Sequence, residues 1–204
     1  CAMAGRRRAE NPALPSLLDD EKLSEWLQVN GFKESHIASI YRGLFRAVQQ
    51  HFGEERAGGR EEIQQEGALP PWEAISSLLG SKQLPRGLLE LLPHAFSRGH
   101  LSLVDRLDSS DGVTTKLVFQ LHDGHRVETV IMNHDSRTTV CVSSQVGCAM
   151  GCKFCATGTM GIIGNLTAAE VTEQVAYASA IELSRGRSPP RNVVFMGMGE
   201  AETG

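Results

Sequence analysis

Three cysteines fall within eight residues of this chain, at Cys148, Cys152 and Cys155, and their spacing points to metal chemistry. Soft thiolate ligands select zinc, copper(I) or an iron–sulfur centre. A structural zinc site is closed by four tetrahedral ligands, and the C-x3-C-x2-C spacing departs from its paired C-x2-C knuckles. Three thiolates leave one iron of a [4Fe–4S] cluster open, whereas electron-transfer clusters are usually closed by four cysteines. The spacing therefore favours an iron–sulfur site that can bind a substrate or cofactor.

Glu128 is a candidate base, because it lies in a run of β-forming residues beside apolar side chains. Strand alternation places it on the face of Val130 and Met132, and apolar surroundings would suit a carboxylate that accepts a proton. The alternative is an ordinary surface glutamate paired with Arg126, which falls on the same face.

Three further residues are candidates for binding or catalysis. Gly199 and Glu200 end a G-x-G-E segment, where glycine lets the backbone approach a ligand and a carboxylate can accept hydrogen bonds from an ammonium group. A tight turn after a strand is the alternative. Cys141 lies seven residues before Cys148, and by itself it is typical of a buried strand cysteine.

The first half of the chain predicts helices. Apolar residues repeat at three- and four-residue steps from Leu23 to Leu27, and again over residues 34–51, with Gly31 between the two. Shorter helices are expected at Trp72–Leu79 and at 86–96, where Pro93 interrupts or ends the second. Residues 53–71 predict an exposed connection.

The second half predicts strands around one helix. Residues 116–121 and 126–132 flank an Asp-Gly pair and form a β-hairpin. A strand over 138–143 leads into the cysteine loop, and Thr167 and Glu170 have the spacing of a capping box that begins a helix reaching about Ser184. A strand over 192–196 follows. This strand–helix–strand order predicts two parallel strands with the chemistry at their carboxyl ends.

Composition sets the limits of these predictions. The chain has 204 residues, a net charge of −4, 41% hydrophobic and 22% charged residues. This balance is typical of a globular protein, and no stretch approaches the ~18 apolar residues of a membrane span. Clustered cysteines favour a reducing compartment over a secreted disulfide framework. The arginine-rich start is compatible with two locations: the cytoplasm or, in a eukaryote, an organelle such as a plastid or mitochondrion.

The segment from Cys141 to Cys148 reads CVSSQVGC, and FCATG at 154–158 and GNLT at 164–167 follow it. Together with VETV at 127–130 and GMGE at 197–200, these segments resemble the RlmN/Cfr family of radical S-adenosylmethionine (SAM) rRNA adenine methyltransferases. The resemblance extends from about residue 20 to residue 200. It implies an α/β fold in which a small helical domain and a β-hairpin precede the first βαβ part of an incomplete radical-SAM, TIM-like barrel.

The composition, the apolar spacing and the resemblance together predict a division of the chain, and the resemblance implies its partners. Residues 1–15 would be a disordered basic terminus, 16–98 a helical accessory domain for RNA recognition, 99–137 a hairpin extension and 138–204 the start of the radical-SAM core. The substrate would be adenine carbon 2 of large-subunit rRNA, with tRNA as a second candidate and carbon 8 left open. An external electron donor such as flavodoxin or ferredoxin would serve the reaction, with no membrane involved.

Residue roles follow from the same resemblance. Cys148, Cys152 and Cys155 would ligate the [4Fe–4S] cluster, whose open iron holds the amino and carboxylate groups of SAM. Gly199 and Glu200 would belong to the SAM site. Glu128 would take a proton from the substrate adenine, and Cys141, as a thiolate, would resolve a protein–RNA crosslink.

The sequence departs from the family after Glu200. Members of the family continue with a proline and further βα units, and they carry a second catalytic cysteine near the carboxyl terminus. Residues 201–204 supply neither. The 204-residue chain alone is therefore expected not to methylate RNA, and its uncovered strands predict poor stability. The alternatives are a noncatalytic metal- or RNA-binding module and an inactive truncated fragment.

Overall fold

A computed structural model describes residues 8, 14–54, 63, 69–79 and 84–200 of the chain. None of the helices in this part is long and apolar enough to cross a membrane. Most of the predicted connection at 53–71 lies outside the described residues. Ile63 and Leu69, which belong to it, are 2% and 3% exposed, so the expected exposure is wrong at these two positions.

In the described part of the first half, the structure contains the four helices that the apolar spacing predicts. They are α1 (Asp20–Val29), α2 (His36–Glu54), α3 (Trp72–Leu79) and α4 (Arg86–Ala95). Asp19 caps α1 by accepting the Lys22 N–H at 3.1 Å, which satisfies one of the amides that begin a helix. Pro93 lies inside α4 and does not end it.

Seven strands follow and make two sheets. The five-stranded sheet contains β1 (Ser102–Asp108), β2 (Thr114–Gln120), β3 (Arg126–His134), β4 (Arg137–Cys141) and β7 (Asn192–Val194), in that spatial order. Its first three pairings are antiparallel, which confirms the predicted hairpin. The pairing of β4 with β7 is parallel, as the predicted βαβ unit requires.

Four elements lie between β4 and β7. Strands β5 (Gln145–Gly147) and β6 (Ile162–Asn165) form a small antiparallel sheet, and the short helix α5 (Ala156–Thr159) lies between them. Helix α6 (Ala168–Ser184) then crosses to β7. Its capping box is present, because Thr167 N–H donates to the Glu170 carboxylate at 2.8 Å and Glu170 N–H donates to the Thr167 hydroxyl at 3.2 Å.

Helix α6 covers one face of the large sheet. Tyr177 of α6 packs on Phe119 of β2 with ring centroids 4.7 Å apart, and Thr129 of β3 donates a hydrogen bond to Gln174 at 2.6 Å. Helix α2 packs on the same helix. The buried residues of the helices and of the sheet therefore form one hydrophobic cluster, and the opposite face of β2 and β3 is half-buried.

Arg8 is held against this body by ion pairs. The Arg8 side chain is 6% exposed; it donates to Asp123 in the hairpin turn at 2.5 Å and to Glu170 of α6 at 3.0 and 3.1 Å. The prediction of a disordered, solvated terminus is therefore wrong at Arg8. The cause is the buried carboxylate of Glu170 and the partly buried one of Asp123, which are far away in the sequence and near in the fold.

Candidate functional site

The three clustered cysteines lie where the small sheet meets α5. Cys148 follows β5 and is 9% exposed, and Cys155 is the residue that precedes the first turn of α5. Cys152 and Cys155 are half-buried, and none of the three forms a disulfide. One short loop therefore presents three thiols, as the sequence predicts.

Backbone amides favour the thiolate form in this loop. The N–H groups of Gly158 and Thr157, at the start of α5, lower the pKa of the Cys155 thiol. A thiolate is the form that ligates a metal, and the amino-terminal end of a helix is where such stabilisation occurs. The loop therefore supplies three sulfur ligands and a cause for the deprotonation of one of them, Cys155.

Close backbone contacts shape the cysteine loop. Cys155 N–H donates to the Cys152 carbonyl at 3.1 Å, and Cys148 N–H donates to the Gly161 carbonyl at 3.1 Å. A Cβ on Gly158 would lie 2.8 Å from the backbone of Cys152, and one on Gly147, with φ of +74°, would lie 1.9 Å from the Gly161 oxygen. Glycine is required at both positions by space, and at Gly147 also by conformation.

The donor set fits a thiophilic centre. Three free thiols on one loop, one of them with a lowered pKa, match the thiolate ligands of an iron–sulfur cluster. In the described part of the chain, no three His, Cys, Asp or Glu side chains already converge as a metal-binding group. The fit therefore rests on the identity and electrostatics of the cysteines.

The G-x-G-E segment forms a turn directly after β7, at the carboxyl end of that strand, and it packs on the connection from β4 to β5. Gly197 N–H donates to the Val142 carbonyl at 3.1 Å, and the Met198 carbonyl accepts the Gln145 N–H at 3.1 Å. A Cβ on Gly199, with φ of +101°, would lie 2.6 Å from the Gln145 side chain. These glycines thus serve close packing of protein on protein, and a role for Gly199 in SAM binding stays a prediction.

Glu200 is held by the same connection. Its N–H donates to the Gln145 side-chain carbonyl at 3.1 Å, and the Gln145 amide nitrogen donates to Asn165 of β6 at 2.9 Å. Gln145 is 1% exposed. It therefore ties the end of the turn to the small sheet that carries the cysteine loop.

Cys141 ends β4 beside the same turn. It is 8% exposed, and burial raises the pKa of its thiol although the Met196 N–H acts in the opposite direction. In this arrangement the protonated thiol is favoured. Its predicted role as a thiolate stays a prediction.

Glu128 shares a sheet face with Cys141. Val130, two residues after Glu128 in β3, is the direct cross-strand partner of Cys141, and residues two apart in a strand point to one face. The Glu128 carboxylate is 47% exposed and pairs with Lys116 of β2 at 2.9 Å.

Two expectations about Glu128 are therefore wrong. Its surroundings are half-solvated, because the apolar face of β3 is the opposite one, covered by α6. Its recorded ion-pair partner is Lys116 of the neighbouring strand, which reaches it diagonally, in place of Arg126. The role of Glu128 as a base stays a prediction.

Sequence reasoning missed the polar side chains that hold the site together. Ser143, Gln145 and Gln174 are at most 1% exposed, and each has hydrogen bonds to more than one segment. For Ser143 and Gln145, the signal in the sequence was a run of polar residues, SSQ, in the region between Cys141 and Cys148. Buried polar residues need partners, so such a run marks a network.

Comparison with known proteins gives a consistent set of relatives. No protein-family model matches the chain. It is 42% identical over 171 residues to a dual-specificity RNA methyltransferase RlmN of Anaeromyxobacter sp. (strain Fw109-5), which covers 82% of this chain and 41% of the relative. It is 45% identical over 126 residues to the ribosomal RNA large subunit methyltransferase N of Nitrosopumilus maritimus, covering 58% and 36%.

A solved structure is similar as well. The crystal structure of a radical SAM methyltransferase from Sphaerobacter thermophilus superposes with a TM-score of 0.63 and 35% identity, over 92% of this chain and 48% of that one. These findings confirm the resemblance and the α/β fold class inferred from the sequence. The chain spans less than half the length of the relatives it matches.

Proposed function

We propose that this chain, as a homologue of the RlmN methyltransferases, is the cluster-binding part of a radical-SAM RNA methyltransferase that acts on carbon 2 of adenine in large-subunit rRNA. The observation that carries the proposal is the loop with Cys148, Cys152 and Cys155, which follows the strand β5 whose Gln145 holds Glu200. The similarity to RlmN proteins and to a radical SAM methyltransferase supports it.

The three cysteines would hold the cofactor. Cys148, Cys152 and Cys155 would ligate three irons of a [4Fe–4S] cluster, and the start of α5 favours the thiolate at Cys155. When bound, the cluster supplies the electron that cleaves SAM to a 5′-deoxyadenosyl radical. Gly199 and Glu200 would bind SAM, with the Glu200 carboxylate accepting hydrogen bonds from its ammonium group.

Two other residues would act on the RNA. Glu128 would accept a proton from the adenine ring, and its half-exposed carboxylate on the uncovered sheet face leaves it accessible to a substrate. Cys141, on the same face, would have to lose its proton to act as a thiolate, because burial raises its pKa.

The partners follow from the proposed reaction. These are rRNA, with tRNA as a second substrate, and an electron donor such as flavodoxin or ferredoxin. The helices α1 to α4 would contribute to RNA recognition. The proposed location is a reducing compartment, the cytoplasm or a eukaryotic plastid or mitochondrion.

Anaerobic reconstitution tests the proposal directly. The chain is purified without oxygen, loaded with iron and sulfide, reduced, and examined by electron paramagnetic resonance with and without SAM. We expect about four irons per chain and a signal that changes on adding SAM, because a cluster with three cysteine ligands has an open iron. Cys152→Ser should lose the cluster.

The control is Cys1→Ser, which removes a cysteine outside the cluster of three. It should keep the iron content and the response to SAM. Stoichiometric zinc, or a cluster whose signal ignores SAM, would contradict the proposal and favour a noncatalytic metal- or RNA-binding module.

A further inference from the structure

Ser143 lies at the point where three parts of the candidate site meet. It follows β4 two residues after Cys141, and it is 0% exposed. Its hydroxyl donates to the Glu128 carbonyl at 2.6 Å and accepts the Met198 N–H at 2.9 Å. One oxygen therefore joins the strand of the predicted base to the turn of the predicted SAM site.

The backbone of Ser143 is fixed as well. Its N–H donates to the Gln174 side-chain carbonyl at 2.9 Å, and its carbonyl accepts from the Gln174 amide nitrogen at 3.0 Å. Gln174 lies on α6, is 0% exposed, and also accepts the Thr129 hydroxyl at 2.6 Å. Ser143 therefore cannot shift without breaking bonds to the covering helix.

The turn is packed against the same side chain. A Cβ on Gly197 would lie 2.8 Å from the Ser143 hydroxyl oxygen. The Met198 carbonyl accepts N–H groups from Ser144 and Gln145, at 2.9 and 3.1 Å. The path of the turn is thus set by Ser143 and the two residues that follow it.

We propose that Ser143 is a positioning residue, whose hydroxyl holds the turn at 197–200 in a fixed position relative to the strand that carries Glu128. This inference rests on the proposed function, because the proposed function makes SAM the ligand of this turn. A hydroxyl suits the position because it donates in one direction and accepts from another. Alanine would leave a buried carbonyl and a buried N–H without this partner.

The expected effect is on SAM affinity. Without the hydroxyl, the Met198 amide loses its acceptor and the turn samples other arrangements. Part of the free energy of SAM binding is then used to order the turn. Leaving a buried group of this kind unpaired corresponds to about a tenfold loss of SAM affinity. The cysteine loop has no recorded hydrogen bond to the Ser143 hydroxyl, so iron content should not change.

The test compares Ser143→Ala with Thr129→Val in the reconstituted chain. Thr129→Val is the matched control, because it also removes a buried hydroxyl of the same network, one that donates to the Gln174 side chain instead of bonding the turn. We expect Ser143→Ala to speed amide exchange at Met198 and to raise the Kd for SAM about tenfold. Thr129→Val should leave both within about twofold.

Three outcomes would overturn the role of Ser143. The first is that Ser143→Ala exchanges its Met198 amide faster but binds SAM with wild-type affinity. The second is that amide exchange at Met198 in this variant is the same as in the wild type. The third is that Thr129→Val loses as much affinity for SAM as Ser143→Ala does. No response to SAM in the unmodified chain would instead count against the proposed function, so the two failures are distinguishable.

A measurement on the unmodified chain covers the case in which Ser143→Ala does not fold. Adding SAM should slow amide exchange at Met198 and, through Ser143, along β3, while the paired amides of β1 serve as the reference. Protection of Met198 without any change along β3 would contradict the proposed coupling.

Discussion

Two ion pairs of similar length should differ greatly in their effect on stability. Lys116 and Glu128 are 2.9 Å apart but 41% and 47% exposed, whereas Arg8 and Glu170 are 3.0 Å apart and 6% and 5% exposed. Exposed pairs contribute about 0–1 kcal/mol, and removing one member of a buried pair costs about 3–5 kcal/mol. Lys116→Met should therefore change the free energy of unfolding by less than about 1 kcal/mol. Arg8→Met should lower it by about 3 kcal/mol.

Urea unfolding of the two variants beside the unmodified chain measures this difference. Arg8→Lys separates charge from geometry, since lysine keeps the charge but not the fork that bonds Asp123 and Glu170 together. It should fall between the two. Equal losses in Lys116→Met and Arg8→Met would contradict the prediction.

For individual residues, the sequence predicts candidate chemical groups better than it predicts which side chains are in contact. The ligand set of Cys148, Cys152 and Cys155 depends only on residue type and spacing within one loop, so it could be predicted. The partner of Arg8 could not, because Asp123 and Glu170 are 115 and 162 residues away. Glu128 is an intermediate case. Strand alternation correctly placed it on one face with Val130 and Met132, but whether that face is buried depends on which side of the sheet α6 covers.

The segment that links the helices to the sheet depends on one glycine. The Glu173 carboxylate of α6 accepts the N–H groups of His100 and Leu101 at 2.8 and 3.0 Å. A Cβ on Gly99 would lie 2.1 Å from a Glu173 oxygen. Gly99→Ala should therefore displace the carboxylate and cost about 1–3 kcal/mol through the unpaired amides.

Gly87→Ala is the matched control for this substitution. Gly87 lies in α4, and a Cβ there would meet nothing within 4 Å. It should stabilise the chain by about 0.5–1 kcal/mol, because alanine is the better helix former. Thermal unfolding of both variants checks the pair, and a stabilised Gly99→Ala would show that Glu173 does not hold the link.

Elements with a local cause were predictable. The capping box of Thr167 and Glu170 and the Asp-Gly turn of the hairpin are encoded in a few neighbouring residues, and the structure contains both. Strand β1 and the β5–β6 pair were not predicted. Their strands are short or mixed in polarity, and their pairing depends on neighbours brought together by the fold.

The pH dependence of the stability of the whole molecule should be shaped by two carboxyl groups, that of Glu173 in α6 and that of Asp108 at the end of β1, which bonds Arg185 after α6. Burial raises the pKa of Glu173 to about 7, although the N–H groups of His100 and Leu101 favour its ionised form. Burial acts to raise the pKa of Asp108 also, but hydrogen bonds from Thr115 and Arg185 outweigh it and hold the value at about 2. The two shifts have opposite signs.

Their consequences lie in different pH ranges. The folded chain holds the Glu173 proton more tightly than the unfolded chain, whose value is near 4.5, so this stabilisation is complete below about pH 4.5 and is lost as the pH rises through about 7. Asp108 contributes stability above its ordinary value of 3.8, and that contribution is lost as the pH falls toward 2. Urea unfolding between pH 2 and 8 should therefore show a fall on both sides of a maximum near pH 4 to 5. Glu173→Gln should reduce the fall in the free energy of unfolding above pH 5, and Asp108→Asn should reduce the fall below pH 4. An unchanged fall above pH 5 in Glu173→Gln would mean that other groups cause it.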